Sequence, residues 1–370
     1  MKVIIAGDFA PRARLAKQIE NKRFGEIFPD KLVKIIKSAD YSLVNFESPV
    51  IEDGFEPIEK CGPSLGCSSN AVDAIKYAGF TAVTMANNHI LDYGSNGLSK
   101  SVECCKNSGL DVVGVGNNLQ DAEKILYVKK NEKILAVINC CEHEFSIATS
   151  TTSGANPLNP IRQYYSIQEA RKNADYVLII VHGGHEHYQL PSPRMQEIYR
   201  FFIDAGADVV VNHHQHCYSG YEIYNSKLIF YGLGNFCFDW EGAQDKKWTE
   251  GYFIMVDFNS ILSFKIYPYC QYGIEANIKI LNEDNLTIEI EKLNNIIYDN
   301  KLLNLAMDSY LKESTKDLKN IFSPIRNRYI NYVWRKLFPP FLSNKSRLFI
   351  LAHLQCESHI VKVLYKLRMK

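Results

Sequence analysis

Five short polar clusters hold most of the side chains in this chain that are capable of chemistry. They are Gly7-Asp8, Asn45-Phe46-Glu47-Ser48, the stretch from Asn87-Asn88-His89 to Gly94, His182-Gly183-Gly184-His185-Glu186-His187, and His213-His214-Gln215-His216. Seven of the ten histidines fall in the last three. His214 and His216 form an i, i+2 pair, which on an extended segment sets both imidazoles on one face, as a metal ion requires. The paired glycines after His182 let the backbone pass close to a bound group. Taken singly, each element has a plain structural reading: Gly-Asp as a turn, Glu47 as a rim carboxylate, Asn88-His89 as a helix cap followed by a hydrogen-bonded core histidine. Taken together they make a carboxylate, amide and imidazole shell with no thiolate. That donor set suits Mn, Fe or Zn at a reactive site rather than a structural zinc.

Such a shell needs a rigid frame. Apolar runs predict strands over residues 2–6, 41–46, 81–86, 111–115, 134–139, 176–181 and 208–212. Amphipathic stretches predict helices near 31–38, 69–78, 95–107, 166–173 and 192–205. The alternation implies an α/β fold, and the near-continuous apolar runs imply sheets covered on both faces. Each polar cluster sits at the carboxyl end of one of five of these strands, the edge where α/β sheets bind ligands. Asn131-Glu132 and Asn225-Ser226 read as hairpin tips, so the sheets should be mixed. From about residue 251 the pattern changes to short strands and then to helices, which divides the chain into 1–250 and a C-terminal extension, 251–370.

Composition removes several classes. The 370 residues carry a net charge of +1, which gives no reason to expect a nucleic-acid partner. The apolar run at the N-terminus is too short for a signal-peptide core, and no run approaches the roughly 18 residues of a membrane span. The cysteines lack C-x-x-C spacing, and Cys104-Cys105 and Cys140-Cys141 are adjacent, as buried thiols in a reducing cytoplasm would allow. No H-E-x-x-H, Walker-A, G-x-S-x-G or G-x-G-x-x-G element stands in its required context. From Arg326 onward, Arg326, Arg328, Arg335, Lys336, Lys345, Arg347, Lys362, Lys366, Arg368 and Lys370 face one acid, Glu357. This region reads either as a helical cap with a solvated basic face or as a surface for anionic membrane or a phosphate-bearing polymer.

The ordered motifs NFES, ANNHILDYG, VHGGHEHY, DAGADVVVNHHQH and IFYGLGNFCFD, spread over roughly residues 1–250, resemble the bacterial capsule-synthesis protein CapA family. That family is named for poly-γ-glutamate capsule production and is itself similar to the calcineurin-like metallophosphoesterases. ANNHILDYG and YGLGNFCFD are the most specific of these motifs. The resemblance implies a four-layer α/β/β/α sandwich of two mixed sheets holding one or two divalent transition metals (Mn, Fe or Zn). It implies Asp8, Glu47, Asn88, His182, His214 and His216 as ligands, with Glu47 where a bridging carboxylate stands. His89 matches the histidine that protonates the leaving group, with Asp92 placed to orient it and raise its pKa. Asn45, His185, Glu186 and Asn235 match residues that line the substrate pocket.

Three positions depart from the family pattern. Asp8-Phe9-Ala10 lacks the histidine of an Asp-x-His motif, which weakens one metal. Gly183 replaces a tryptophan, and Asn212 to His216 replaces Gly-His-His-Pro-His. The implied activity is that of a metal-dependent phosphoesterase-like enzyme of capsule, surface-polysaccharide or poly-γ-glutamate biosynthesis. Two other readings stand beside it: a non-catalytic accessory of a capsule assembly or export complex, and an amide hydrolase or transferase acting on a γ-glutamyl polymer. The expected partners are a phosphorylated or polyanionic polymer intermediate and, peripherally, anionic membrane or capsule-synthesis proteins. The expected location is cytoplasmic.

Overall fold

The structure is a computed structural model that describes residues 1–130, 132–240, 245–315 and 354–368. Eight strands make the first sheet: β1 (Lys2–Phe9), β2 (Tyr41–Phe46), β3 (Ala82–Thr84), β4 (Asp111–Val113), β13 (Asn235–Cys237), β14 (Glu250–Asp257), β15 (Ser263–Gln271) and β16 (Ile278–Ile280). Six make the second: β6 (Leu126–Lys130), β7 (Lys133–Cys141), β9 (Tyr176–His182), β10 (Val209–His213), β11 (Tyr221–Tyr224) and β12 (Lys227–Phe230). β5 (Val115–Gly116) and β8 (Gly154–Ala155) form a separate two-stranded ribbon.

The alternation of side chains along each strand builds the layers. In β1, Val3 and Ile5 point between the sheets, where they meet Leu135, Val137, Leu178, Ile180, Val209 and Val211 of the second sheet. Ile4 and Ala6 point the other way, against Leu15, Ile19, Leu32, Ile36, Val72 and Ile75 of the helices that cover the first sheet. On the far face of the second sheet, Val177, Ile179, Val181 and Val210 pack on Ile167, Met195, Tyr199 and Phe202 of helices Pro160–Asn173 and Pro193–Asp204. The result is the expected order of helices, sheet, sheet and helices. Burying a Val, Leu or Ile side chain is worth about 1.5–3 kcal/mol. A one-residue slip would reverse every one of these faces, so the packing fixes the register, and with it the strand ends.

Both sheets are mixed. β1 to β4 run parallel, as do β7, β9, β10 and β12, while β14 to β16, β6 and β11 supply antiparallel partners. The β11–β12 hairpin turns at Asn225 and Ser226, both with positive φ, as a tight two-residue turn requires. The tip expected at Asn131 lies outside the described residues. The pattern change near residue 251 marks β14, which pairs with Lys2 to Ile5 of β1, so the strands after residue 250 extend the same sheet that carries Asp8. Beyond Ile5, β13 takes over beside β1, with Asn235 opposite Asp8. Helices Glu283–Tyr298 and Asn300–Ser314 follow, and a last helix spans Glu357–Arg368.

Among the described residues no helix is long and apolar enough to cross a membrane. Cys104, Cys105, Cys140 and Cys141 are thiols, as expected. Of the basic C-terminal residues, Lys362, Lys366 and Arg368 fall on the last helix, and the other seven lie outside the described residues.

Where β1 passes from β14 to β13, a Cβ on Gly7 would stand 1.8 Å from the Gly234 carbonyl oxygen. Neither backbone can retreat without breaking sheet hydrogen bonds. Gly7→Ala should therefore cost about 3 kcal/mol of stability, read as a lower midpoint in urea denaturation.

Candidate metal centre

β2 delivers Glu47 into the space where the carboxyl ends of both sheets meet. Its side chain is fully buried and neither oxygen has a hydrogen-bond donor. A buried carboxylate left in that state is costly unless a cation faces it. Two sets of potential ligands converge on it. Asp8 and His216 stand on one side, His182 and His214 on the other. Glu47 Oε1 lies 3.5 Å from His182 Nε2 and 3.9 Å from His216 Nε2. Asp8 Oδ2 lies 3.4 Å from His216 Nδ1. His182 Nε2 also faces His214 Nδ1 and Asn88 Oδ1, each at 3.1 Å.

All six expected ligands are thus brought together, in two half-sites that share Glu47. The half with Asp8 and His216 has fewer donors, and position 10 there is a buried alanine. Imidazole nitrogens, an amide oxygen and carboxylates turned toward a common space suit a divalent transition metal.

The backbone achieves this differently from the i, i+2 argument. β10 ends at His213, and both His214 (φ 91°) and His216 (φ 55°) adopt left-handed conformations that a non-glycine residue rarely takes. The two rings do not share the face of an extended strand. They sit across a tight turn, with centroids 6.0 Å apart: His214 faces His182, His216 faces Asp8, and both reach Glu186.

Electrostatics show the same need for a cation. Burial, and then the charge of Asp8, pushes the Glu47 carboxyl well above the carboxylate range. Burial also acts to raise Asp8, but the imidazoles of His216, His182 and His213 hold it below its ordinary value. Burial opposes a charged His216, yet Glu47, Asp8 and Glu186 raise it to about 10. His182 is driven down by burial and by the neighbouring His214.

The pocket residues divide. Asn45 donates from Nδ2 to Asp8 Oδ1 at 2.7 Å, and Asn235 Oδ1 lies 2.9 Å from His216 Nδ1, so both amides brace ligands. Glu186 is exposed and faces His214 and His216 from the open side. His185 is turned away from this space. Its ring packs on Tyr188 and Tyr310, and both its nitrogens are buried without hydrogen bonds.

His89 Nδ1 is 2.7 Å from Asp92 Oδ2, the expected pairing. The raised pKa expected from it is corrected by the structure. Burial lowers His89 below its ordinary 6.5, outweighing Asp92, and the nearby Lys60 ammonium pushes in the same direction as burial. Lys60 is ion-paired with Asp92 Oδ1 and lies 3.1 Å from His89 Nδ1. Asp92 also accepts from the Leu65 amide, while its carbonyl accepts from that of Ile58, so it pins the loop that carries Lys60.

Sequence reasoning missed Lys60, which sits in a loop with no regular pattern, and Glu144, which accepts from Asn88 Nδ2 at 2.9 Å. Glu144 had a signal. It follows the run over 134–139 just as the other clusters follow their strands. Position 183 has an explanation too: a Cβ there would stand 2.6 Å from Glu142 Cγ, so Glu142 fills the room a tryptophan would take.

The profile described as bacterial capsule synthesis protein PGA_cap matches residues 2–240. The capsule biosynthesis protein CapA of Bacillus anthracis is 35% identical over 243 residues, 63% of this chain and 59% of that protein. The PGA biosynthesis protein CapA of Bacillus subtilis is 34% identical over 245 residues, 65% of this chain and 64% of that protein. The chain thus spans about six-tenths of the length of these relatives. A solved phosphatase from Mycoplasma pneumoniae superposes with a TM-score of 0.47 at 14% identity, covering 74% of this chain and 94% of that one.

Glu47→Gln should abolish metal uptake at both half-sites, whereas His182→Ala should cost one metal and leave the other, as elemental analysis after Mn²⁺ loading would show. Uptake must expel the proton from His216, whose pKa is raised to about 10. Apparent affinity should therefore fall as pH is lowered from 8 to 6, measurable by calorimetry.

Proposed function

The chain belongs to the bacterial capsule synthesis protein family, and on that premise we propose that it is a metal-dependent phosphoesterase-like hydrolase. Its substrate would be a phosphorylated intermediate of capsule or surface-polymer synthesis, polysaccharide or poly-γ-glutamate. The observation that carries this reading is the unpartnered Glu47 carboxylate between two ligand sets, with the His89–Asp92 pair beside them. Divalent metals bound there polarise a phosphoryl group and supply a nucleophilic water at neutral pH.

The chain's own residues do the rest. Asp8, Glu47, Asn88, His182, His214 and His216 would hold the metals, with Asn45 and Asn235 fixing the first and last of these. The Asp92 contact at Nδ1 turns the far nitrogen of His89 outward, where it serves the proton of the departing alkoxide. Glu186 faces His214 and His216 from the open side, where the substrate would enter. The basic C-terminal stretch gives peripheral attachment to an anionic surface at the inner face of the membrane, consistent with a cytoplasmic site of action.

Purified protein loaded with Mn²⁺ should be assayed on phosphomonoesters, phosphodiesters and γ-glutamyl amides. Turnover of a phosphoester supports this reading, and turnover of the amide alone moves it to γ-glutamyl chemistry. No turnover of any of the three sinks the enzyme reading. His89→Gln should keep its metal and lose about 10²-fold in kcat on an alkyl phosphate, and less on nitrophenyl phosphate, whose leaving group needs little protonation. The acid form of His89 is present below its lowered pKa, so wild-type turnover of the alkyl phosphate should decline as pH rises from a point below 6.5.

Charge reversal at Arg335, Lys336, Arg347 and Lys366 should weaken binding to anionic liposomes at low salt and leave metal content unchanged. Each basic residue near such a surface contributes about 1 kcal/mol. Wild-type protein that ignores these liposomes removes the membrane part of the proposal.

A further inference from the structure

Three consecutive residues leave β7 beside the metal centre, and the start of the last helix engages all three. Glu142 Oε2 accepts from the hydroxyl of Ser358 and, at 3.3 Å, from its backbone amide. The His143 amide donates to Glu357 Oε2 at 2.8 Å, and its ring Nδ1 lies 2.5 Å from Glu357 Oε1. Glu144 Oε1 lies 3.7 Å from the Cys356 thiol. Arg194 pairs with Glu142 from the other side. The 142–144 segment is thus clasped between the body of the fold and residues more than 200 positions later in the chain.

Glu144 carries this clasp to the metal centre. Its Oε2 accepts from Asn88 Nδ2 at 2.9 Å, and with the NH₂ group held there, Asn88 Oδ1 must face His182 Nε2. A flipped amide would present hydrogens to a cation instead of a lone pair. Glu144 Oε1 also lies 3.8 Å from His214 Nε2, while His214 Nδ1 faces the site. That separation is beyond a hydrogen bond, so Glu144 lies beside the His214 ring without fixing its tautomer. One carboxylate therefore fixes the orientation of Asn88 and flanks His214, both in the half-site that holds His182. Asp8 and His216 do not touch it.

We propose that Glu144 is a positioning residue for the Asn88, His182 and His214 half of the centre, and that the C-terminal helix holds it in place. This inference rests on the metal-centre reading above. It gives the last helix a part in metal binding although it supplies no ligand to that half-site.

The test uses the full chain, stripped with chelator and titrated with Mn²⁺ alone, followed by calorimetry and by the spin-coupled two-manganese EPR signal. Asp8→Ala and His182→Ala identify which binding step belongs to which half. Glu144→Ala should weaken the His182-side step by about 10–100-fold, leave the Asp8-side step unchanged and abolish the coupled signal at sub-saturating metal. Glu144→Gln can still accept from Asn88 through its amide oxygen, so its loss should be smaller. It also serves if Glu144→Ala does not fold. Glu357→Gln combined with Ser358→Ala should weaken the same step and spare the other.

Wild-type affinity at both steps in Glu144→Ala and Glu144→Gln overturns the inference and leaves the metal-centre reading intact. A lowered melting temperature with both affinities unchanged does the same, since it shows a structural role only. Normal affinities in the Glu357/Ser358 variant overturn the helix's part. Wild-type protein that takes up no Mn²⁺ overturns the metal-centre reading and this inference together.

Discussion

A carboxylate with no hydrogen-bond donor, sealed from water where two sheets meet, is the constraint on which this structure depends. Glu47 is held there by the packing of β2 between β1 and β3 and by its backbone amide on the Phe9 carbonyl, not by any hydrogen bond of its side chain. An isolated buried charge of this kind costs several kcal/mol. Around it the fold places Asp8, whose charge adds to the imbalance, and the imidazoles of His182, His214 and His216, of which His216 offsets it. The apolar interior between the sheets supplies the stability that keeps them in place. A divalent cation, as the proposed function requires, would satisfy Glu47, Asp8 and the imidazole lone pairs together.

The neighbouring contacts follow from that. Asn45 and Asn235 spend their amides on Asp8 and His216, because ligands that repel or crowd one another need external support. The left-handed backbone at His214 and His216 sets the two rings toward different neighbours, His182 and Asp8. Asp92 has a double task. It holds His89 and also anchors the loop around Lys60, so the orientation of that histidine and the position of the loop are tied to one side chain.

Much of this was legible in the sequence. β-branched runs ending in Asp, Glu, Asn or His announced both the strands and the edge at which ligands gather, and alternation along those runs announced the layers. The resemblance supplied the roles of individual ligands. What stayed hidden was contact across long sequence distances or through irregular backbone. Lys60 reaches Asp92 from a loop without periodicity. Gly183 looked like a lost pocket residue, and only packing shows Glu142 in its room. The pKa of His89 depends first on burial, which outweighs Asp92, with Lys60 adding to it, and neither burial nor Lys60 is encoded in the spacing of three residues that links His89 to Asp92. The i, i+2 histidines converged, but through a turn that the pattern HHQH does not specify.

The two flanks of β1 are separated by most of the chain. β2 joins it from residue 41 onward, whereas β13 and β14 join it only from residues 235 to 257. During synthesis, the strand that carries Asp8 emerges early and must wait with one edge unpaired until some 230 further residues have left the ribosome. Contacts so distant in sequence close slowly, and an open strand edge invites pairing with other chains. The nascent protein therefore passes through a long interval in which half its core is made and its first strand is unprotected. Production in quantity should depend on translation rate and on chaperones that shield strand edges more than on the stability of the finished fold.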